Sequence, residues 1–202
     1  MAAGTDGIHP ELIKYGGNKL LNIMYELVRQ IWEEERIPEE WKETIIVPIH
    51  KRGDRDRCEN CRGIALGNAA YRILSNIILG KIKRYIEKVM GDYRNGFRDG
   101  RSVIDNIFVL KIINEKLWEY NQSVQYLFIG FQKEYDSIHR DTLWECTKEF
   151  KIPTKLINIR KTCIQETKSV VRIEGTLSPF FENKTGLNQG DHQHSLIWHH
   201  KK

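Results

Sequence analysis

At 202 residues, with 40% hydrophobic and 29% charged side chains, the chain has the make-up of an ordinary folded domain, or a piece of a larger one, which excludes disordered and fibrous classes. A net charge of +5 and a pI near 8.9 favour a polyanionic partner. No run of about 18 apolar residues is present, MAAGTDGIHPE lacks the apolar stretch of a secretory signal, and Cys58, Cys61, Cys146 and Cys163 are too scattered for a disulfide scaffold; an intracellular chain with reduced thiols and no membrane partner is expected, nucleus or cytoplasm left open.

Leu20, Leu21, Met24, Leu27, Val28 and Ile31 fall at helical spacing and predict a helix over 18–35, ended by Pro38. The β-branched run TIIVPI from Thr44 predicts a strand over 44–49, with Pro48 indicating an edge strand or a strand end. A charged loop, KRGDRDRCEN, follows. Ala70, Ile73, Leu74, Ile77, Ile78, Ile82, Tyr85, Ile86 and Val89 predict a helix over 68–90, with Lys81, Lys83, Arg84 and Lys88 mostly off its apolar stripe.

Ser102, with Asp105 three residues on, is a helix start, and the helix is expected to reach about Tyr120. Aromatic and β-branched residues predict a strand over 123–131, then a turn and a helix over 140–150. Pro153 opens one more helix, on which Leu156, Ile157, Arg160, Cys163 and Ile164 share a face. Segments 169–174 and 178–184 flank Gly175 as a hairpin. No internal repeat or linker marks a domain boundary, so one unit over 1–191 is expected, and the tail after Asp191 loses all amphipathic period.

Six phrases occur in one order: GTDGIHPELIK from Gly4, IPEEWKETIIVPIHKRGD from Ile37, CENCRGIAL from Cys58, YRNGFRDGRSVIDNIF from Tyr93, LFIGFQKEYDSIHR from Leu127 and GLNQGD from Gly186. In that order they resemble the reverse transcriptase domain of non-LTR (LINE-like) retrotransposons, over nearly the whole chain. The resemblance implies an α+β fold: the fingers and partial palm of a right-hand polymerase, helices packed on a small, mostly antiparallel sheet, with the thumb beyond this sequence. It also implies copying of an RNA template onto a DNA primer from deoxynucleotide triphosphates, with two Mg2+ ions.

Such chemistry uses carboxylates because two hard cations clamp the attacking and leaving oxygens of an in-line phosphoryl displacement. The family pattern resembles FIDFxKAFDS where this chain reads FIGFQKEYDS, so Gly130 occupies the first metal-ligand aspartate position and Glu134 replaces a small alanine. The family's Asp-Asp pair has no counterpart, since no two aspartates are adjacent. Asp136 reads as a cap of the next helix rather than a substitute ligand, and Glu134 as solvent-exposed. A truncated, degenerate, catalytically inactive copy is therefore expected, with a nucleic-acid-binding module or a translated pseudogene as the alternatives.

The resemblance assigns nucleotide contacts to Lys51 and Arg62 in the fingers loop, to Tyr135 as the aromatic gate against a ribose 2′-hydroxyl, and to Gln189 and Gly190 in the QG phrase, although Asn188 replaces a usual arginine. Lys81, Lys83, Arg84, Lys88, Arg94, Arg98 and Arg101 are candidate phosphate contacts or a solvated helix face, and Arg94 stands where glutamine is usual. Cys58 and Cys61 form a C-x-x-C pair open to a zinc or redox reading, although Cys61 occupies the family's tyrosine place and no second ligand pair follows. His192, His194, His199 and His200 offer metal-competent groups with Asp191, but QGDHQHSLIWHH against the family's QGDxLSPxLF reads better as decay or a frame shift.

Overall fold

The computed structural model describes residues 2–130 and 138–187. In chain order they form α1 (Pro10–Tyr15), α2 (Gly17–Glu34), β1 (Glu43–His50), β2 (Cys61–Leu66), α3 (Ala69–Ile86), α4 (Val103–Glu119), α5 (Arg140–Glu149), α6 (Thr154–Thr162), β3 (Lys168–Ile173), β4 (Thr176–Leu177) and β5 (Phe181–Glu182). Helices and strands are mixed as expected. The sheet runs β2-β1-β3-β4 with β5 also on β3. All its joins are antiparallel except β1 to β3, which is parallel and so needs the long helical crossover between them. No described helix is long and apolar enough to cross a membrane.

The core is built on α3. Leu74, Ile78, Ile82 and Ile86 recur every four residues and are almost wholly buried, meeting Ile31 of α2, Leu143 and Trp144 of α5, and Leu156, Ile157 and Ile159 of α6. Each such side chain contributes about 1.5–3 kcal/mol by leaving water. Ile73 and Ile77 of the expected stripe lie outside this face and are partly exposed, so the apolar pattern is wider than the surface that α2, α5 and α6 cover.

Strand β1 is not an edge strand, but Pro48 lies two residues from its end, on a stretch that the described strands pair on one side only. Along β1 only Glu43–Ile46 pairs with β3, whereas the pairing with β2 continues to His50. The Lys51 amide donates to the Asn60 carbonyl on the β2 side, so by alternation the nitrogen of Pro48 points to the side that β3 has left, where no hydrogen is needed. Strand β2 is absent from the sequence reading because a charged approach and Gly63 interrupt its pattern; that glycine is needed, since a Cβ there would come within 2.9 Å of Ile46 Cγ2. Helix α1 was likewise not expected, being too short to show a period.

Ser102 caps α4 as predicted: its hydroxyl accepts from the Ile104 amide at 3.1 Å, and the Asp105 carboxylate accepts from the Ser102 amide. No residue of α4 is buried. The strand predicted over 123–131 does not form within the described residues: 122–130 carry no regular structure, and Leu127 and Phe128 are more than four-fifths exposed. Strand propensity expresses itself only against a neighbouring ladder, and no described strand lies beside this segment. The predicted hairpin does form. Glu174 and Gly175 both take left-handed φ, 49° and 85°, as a tight two-residue connection demands, and the returning strand is split into β4 and β5 around Pro179.

Candidate functional site

The hairpin β1–β2 brings two predicted nucleotide contacts to one face. Ile49 stands opposite Arg62; Lys51 is one residue past β1, but its amide still donates to the Asn60 carbonyl at 2.9 Å, so strand alternation carries on to it and sets it on the Arg62 face, a diagonal neighbour at about 7–8 Å. Both side chains are exposed, and neither has a carboxylate partner among the described residues. The tip between them is held by side chains. His50 Nε2 lies 2.8 Å from the Gly53 carbonyl, and Asn60 Nδ2 donates to the Asp54 carbonyl at 2.8 Å. Gly53 is required there, because φ is 79° and a Cβ would meet Asn60 Nδ2 at 2.8 Å.

A second junction joins the phrases that begin at Leu127 and Gly186. The Gly186 amide donates to the Ile138 carbonyl at 3.0 Å, and Arg140 Nε donates to the Gly186 carbonyl at 3.1 Å. The same guanidinium donates to the Ile164 carbonyl at 2.7 Å and to Thr167 Oγ1 at 3.3 Å. Burial pushes the pKa of Arg140 down, but not enough to remove its charge. Tyr135, Gln189 and Gly190 lie outside the described residues, as do Glu134, Asp136, Asn188 and the histidine tail.

Gly130 is exposed, its φ is not left-handed, and no atom of the described residues lies within 4 Å of the place a Cβ would take. Among the described residues, neither packing nor backbone conformation requires glycine there. For the Mg2+ that the family uses, the described residues are a poor fit: glycine offers no oxygen side chain, and among them no group of three or more His, Cys, Asp or Glu is placed to hold a metal ion.

Six of the seven predicted phosphate contacts, all but Arg94, fall into two sets. Lys83 is paired with Asp99, Arg98 donates to Glu87 at 2.8 Å and to the Gly91 carbonyl at 3.2 Å, and Arg101 is paired with Asp92 at 2.9 Å. These three fasten the 91–101 loop to α3 and to itself. Lys81 instead stands over the Trp32 ring at 5.1 Å, with Lys155 over the same ring at 5.5 Å. Arg84 and Lys88 are exposed and have no carboxylate partner among the described residues.

Two structural residues were missed by sequence reading. Arg140 is one. The other is Asn68, fully buried, whose Nδ2 donates to the Glu40 carbonyl at 2.9 Å and whose Oδ1 accepts from Thr5 Oγ1 at 3.2 Å. Gly4 packs so closely on it that a Cβ would lie 2.3 Å from Oδ1. The signal was the glycine in the phrase GTDG, which marks a close backbone approach without naming the partner.

Comparison with known proteins gives one family over most of the chain: reverse transcriptase (RNA-dependent DNA polymerase), matching residues 49–200. Among curated relatives, the transposon TX1 uncharacterized 149 kDa protein of Xenopus laevis is 19% identical over 187 residues, covering 93% of this chain and 14% of that protein. The probable RNA-directed DNA polymerase from transposon BS of Drosophila melanogaster is 23% identical over 178 residues, covering 84% of this chain and 19% of that protein. The chain thus spans less than a fifth of the length of either relative.

Proposed function

The chain belongs to the reverse transcriptase (RNA-dependent DNA polymerase) family, and on that premise we propose that it is the fingers and first part of the palm of a non-LTR retrotransposon polymerase that no longer catalyses. Residues 1–191 form this unit and 192–202 an aberrant tail. The ancestral reaction is synthesis of DNA on an RNA template from a DNA primer and deoxynucleotide triphosphates. In it Lys51 meets a phosphate as a compact charge and Arg62 as a planar fork.

The observation that carries the loss is Gly130, a glycine that the described residues around it do not need, at the position where the family places a metal-binding aspartate. Losing metal-ion stabilisation of the transferring phosphoryl group costs several kcal/mol of barrier, and each 1.36 kcal/mol is about tenfold in rate. The test is primer extension by the purified chain with Mg2+ and deoxynucleotide triphosphates. No extension is expected; extension that vanishes in K51A or R62A overturns the reading.

A second reading, a module that binds nucleic acid without chemistry, is favoured by Lys51 and Arg62 sharing an exposed face with no carboxylate partner among the described residues. Affinity for primed RNA that falls steeply with salt supports it, and absence of binding at low salt removes it.

A further inference from the structure

The tip of the β1–β2 hairpin carries a thiol pair that the polymerase reading leaves unused. Cys58–Asn60 forms a single 3-10 turn, and the Cys61 amide closes it by donating to the Cys58 carbonyl. A turn closed in this way holds its first and fourth Cα atoms within about 7 Å, and a disulfide spans about 4.4–6.8 Å between Cα atoms. Cys58 is exposed, Cys61 and Cys146 are both half-buried, and Cys163 is buried; only Cys58 and Cys61 stand at the two ends of one closed turn.

We infer that Cys58 and Cys61 form a thiol–disulfide exchange site whose co-reactant is a low-molecular-weight disulfide. The more exposed thiol, Cys58, loses its proton and attacks one sulfur of the co-reactant, releasing one small thiol that takes up that proton and leaving a mixed disulfide on Cys58. Cys61, deprotonated in turn, attacks the Cys58 sulfur and expels the second small thiol. The protein pair is oxidised by two electrons, and the small disulfide is reduced to two thiols.

The product is a ring that joins the turn to the first residue of β2. The bond from the Lys51 amide to the Asn60 carbonyl enters that ring, so closure fixes the hairpin end. Cys61 and Arg62 are successive strand residues and face opposite ways, Cys61 lying across from His50 on the face away from Lys51 and Arg62. Oxidation therefore stiffens the loop without covering its cation face.

The experiment incubates the full chain with glutathione disulfide, quenches with acid and maps tryptic peptides. Cleavage after Arg57 and Arg62 yields a peptide, CENCR, that contains both cysteines. The expected result is that this peptide is lighter by two hydrogens, carries no glutathione and reverts with a reducing thiol, while Cys163 stays reduced. In C61S, which cannot complete the second exchange, a single glutathione should remain on Cys58. Stable glutathione on both cysteines of the unaltered chain, or two thiols that stay free while C61S also fails to react, overturns the inference.

Discussion

Arg140, the first residue of α5, donates through Nε to the carbonyl of Gly186, and so fastens the phrase that ends in SIHR to the start of the phrase GLNQGD. The two phrases are separated by helices α5 and α6 and the β3 hairpin, and one guanidinium holds both to the turn after α6.

Replacing Arg140 by alanine should cost about 2–4 kcal/mol. Its hydrogen bonds are charge-assisted, and their loss would take the side-chain donor from the Gly186 carbonyl and leave the Ile164 carbonyl only the Thr167 hydroxyl at 3.3 Å, in a partly buried site. Lysine should recover only a minor part, because one ammonium cannot reproduce the planar fork that reaches three acceptors. Chemical denaturation of the variants measures both. Equal stability of R140A and the parent would show that the contacts contribute nothing.

Gly130→Asp should fold with stability within about 0.5 kcal/mol of the parent, as is usual for an exposed position where no described atom crowds the new Cβ. It should still fail to extend a primer, because the sequence contains no adjacent aspartate pair to complete the metal site. Thermal melting and primer extension read the two halves of this expectation separately, and recovered extension would show that a second ligand set exists elsewhere.

Binding to primed RNA should depend on salt through the cations that have no carboxylate partner among the described residues. K51A and R62A should each lower the slope of log affinity against log salt by about one. K83A and R101A should change it less, since Asp99 and Asp92 already neutralise those side chains. A filter-binding series at stepped salt distinguishes the sets, and equal effects from all four would refute the division.

The Lys42 ammonium has its pKa raised, first by its hydrogen bond with Glu39 and also by Glu166, opposed by desolvation. A raised amine pKa stabilises the fold wherever the ammonium persists. That contribution is complete below the unfolded value of about 10.4 and fades as pH rises past it through the folded value. The K42M variant should therefore lose the alkaline part of this decline in a melting profile above about pH 10, and an unchanged profile would exclude the pair as its source.

What the sequence by itself determined is whatever local rules govern: the helical spacing on α3, the Ser102 cap, the left-handed pair at Glu174 and Gly175, the glycine at position 130, and a family order of phrases that needs no geometry to be seen. Tertiary structure decided what depends on a distant neighbour. Among the described residues it left 122–130 without a ladder, gave Pro48 a side from which β3 had gone, paired Lys83 and Arg101 with carboxylates of the next loop, and set Lys51 and Arg62 on one face. A period or a cap is written within a few residues, whereas pairing, neutralisation and burial belong to two segments at once, and only the fold brings the second segment into place.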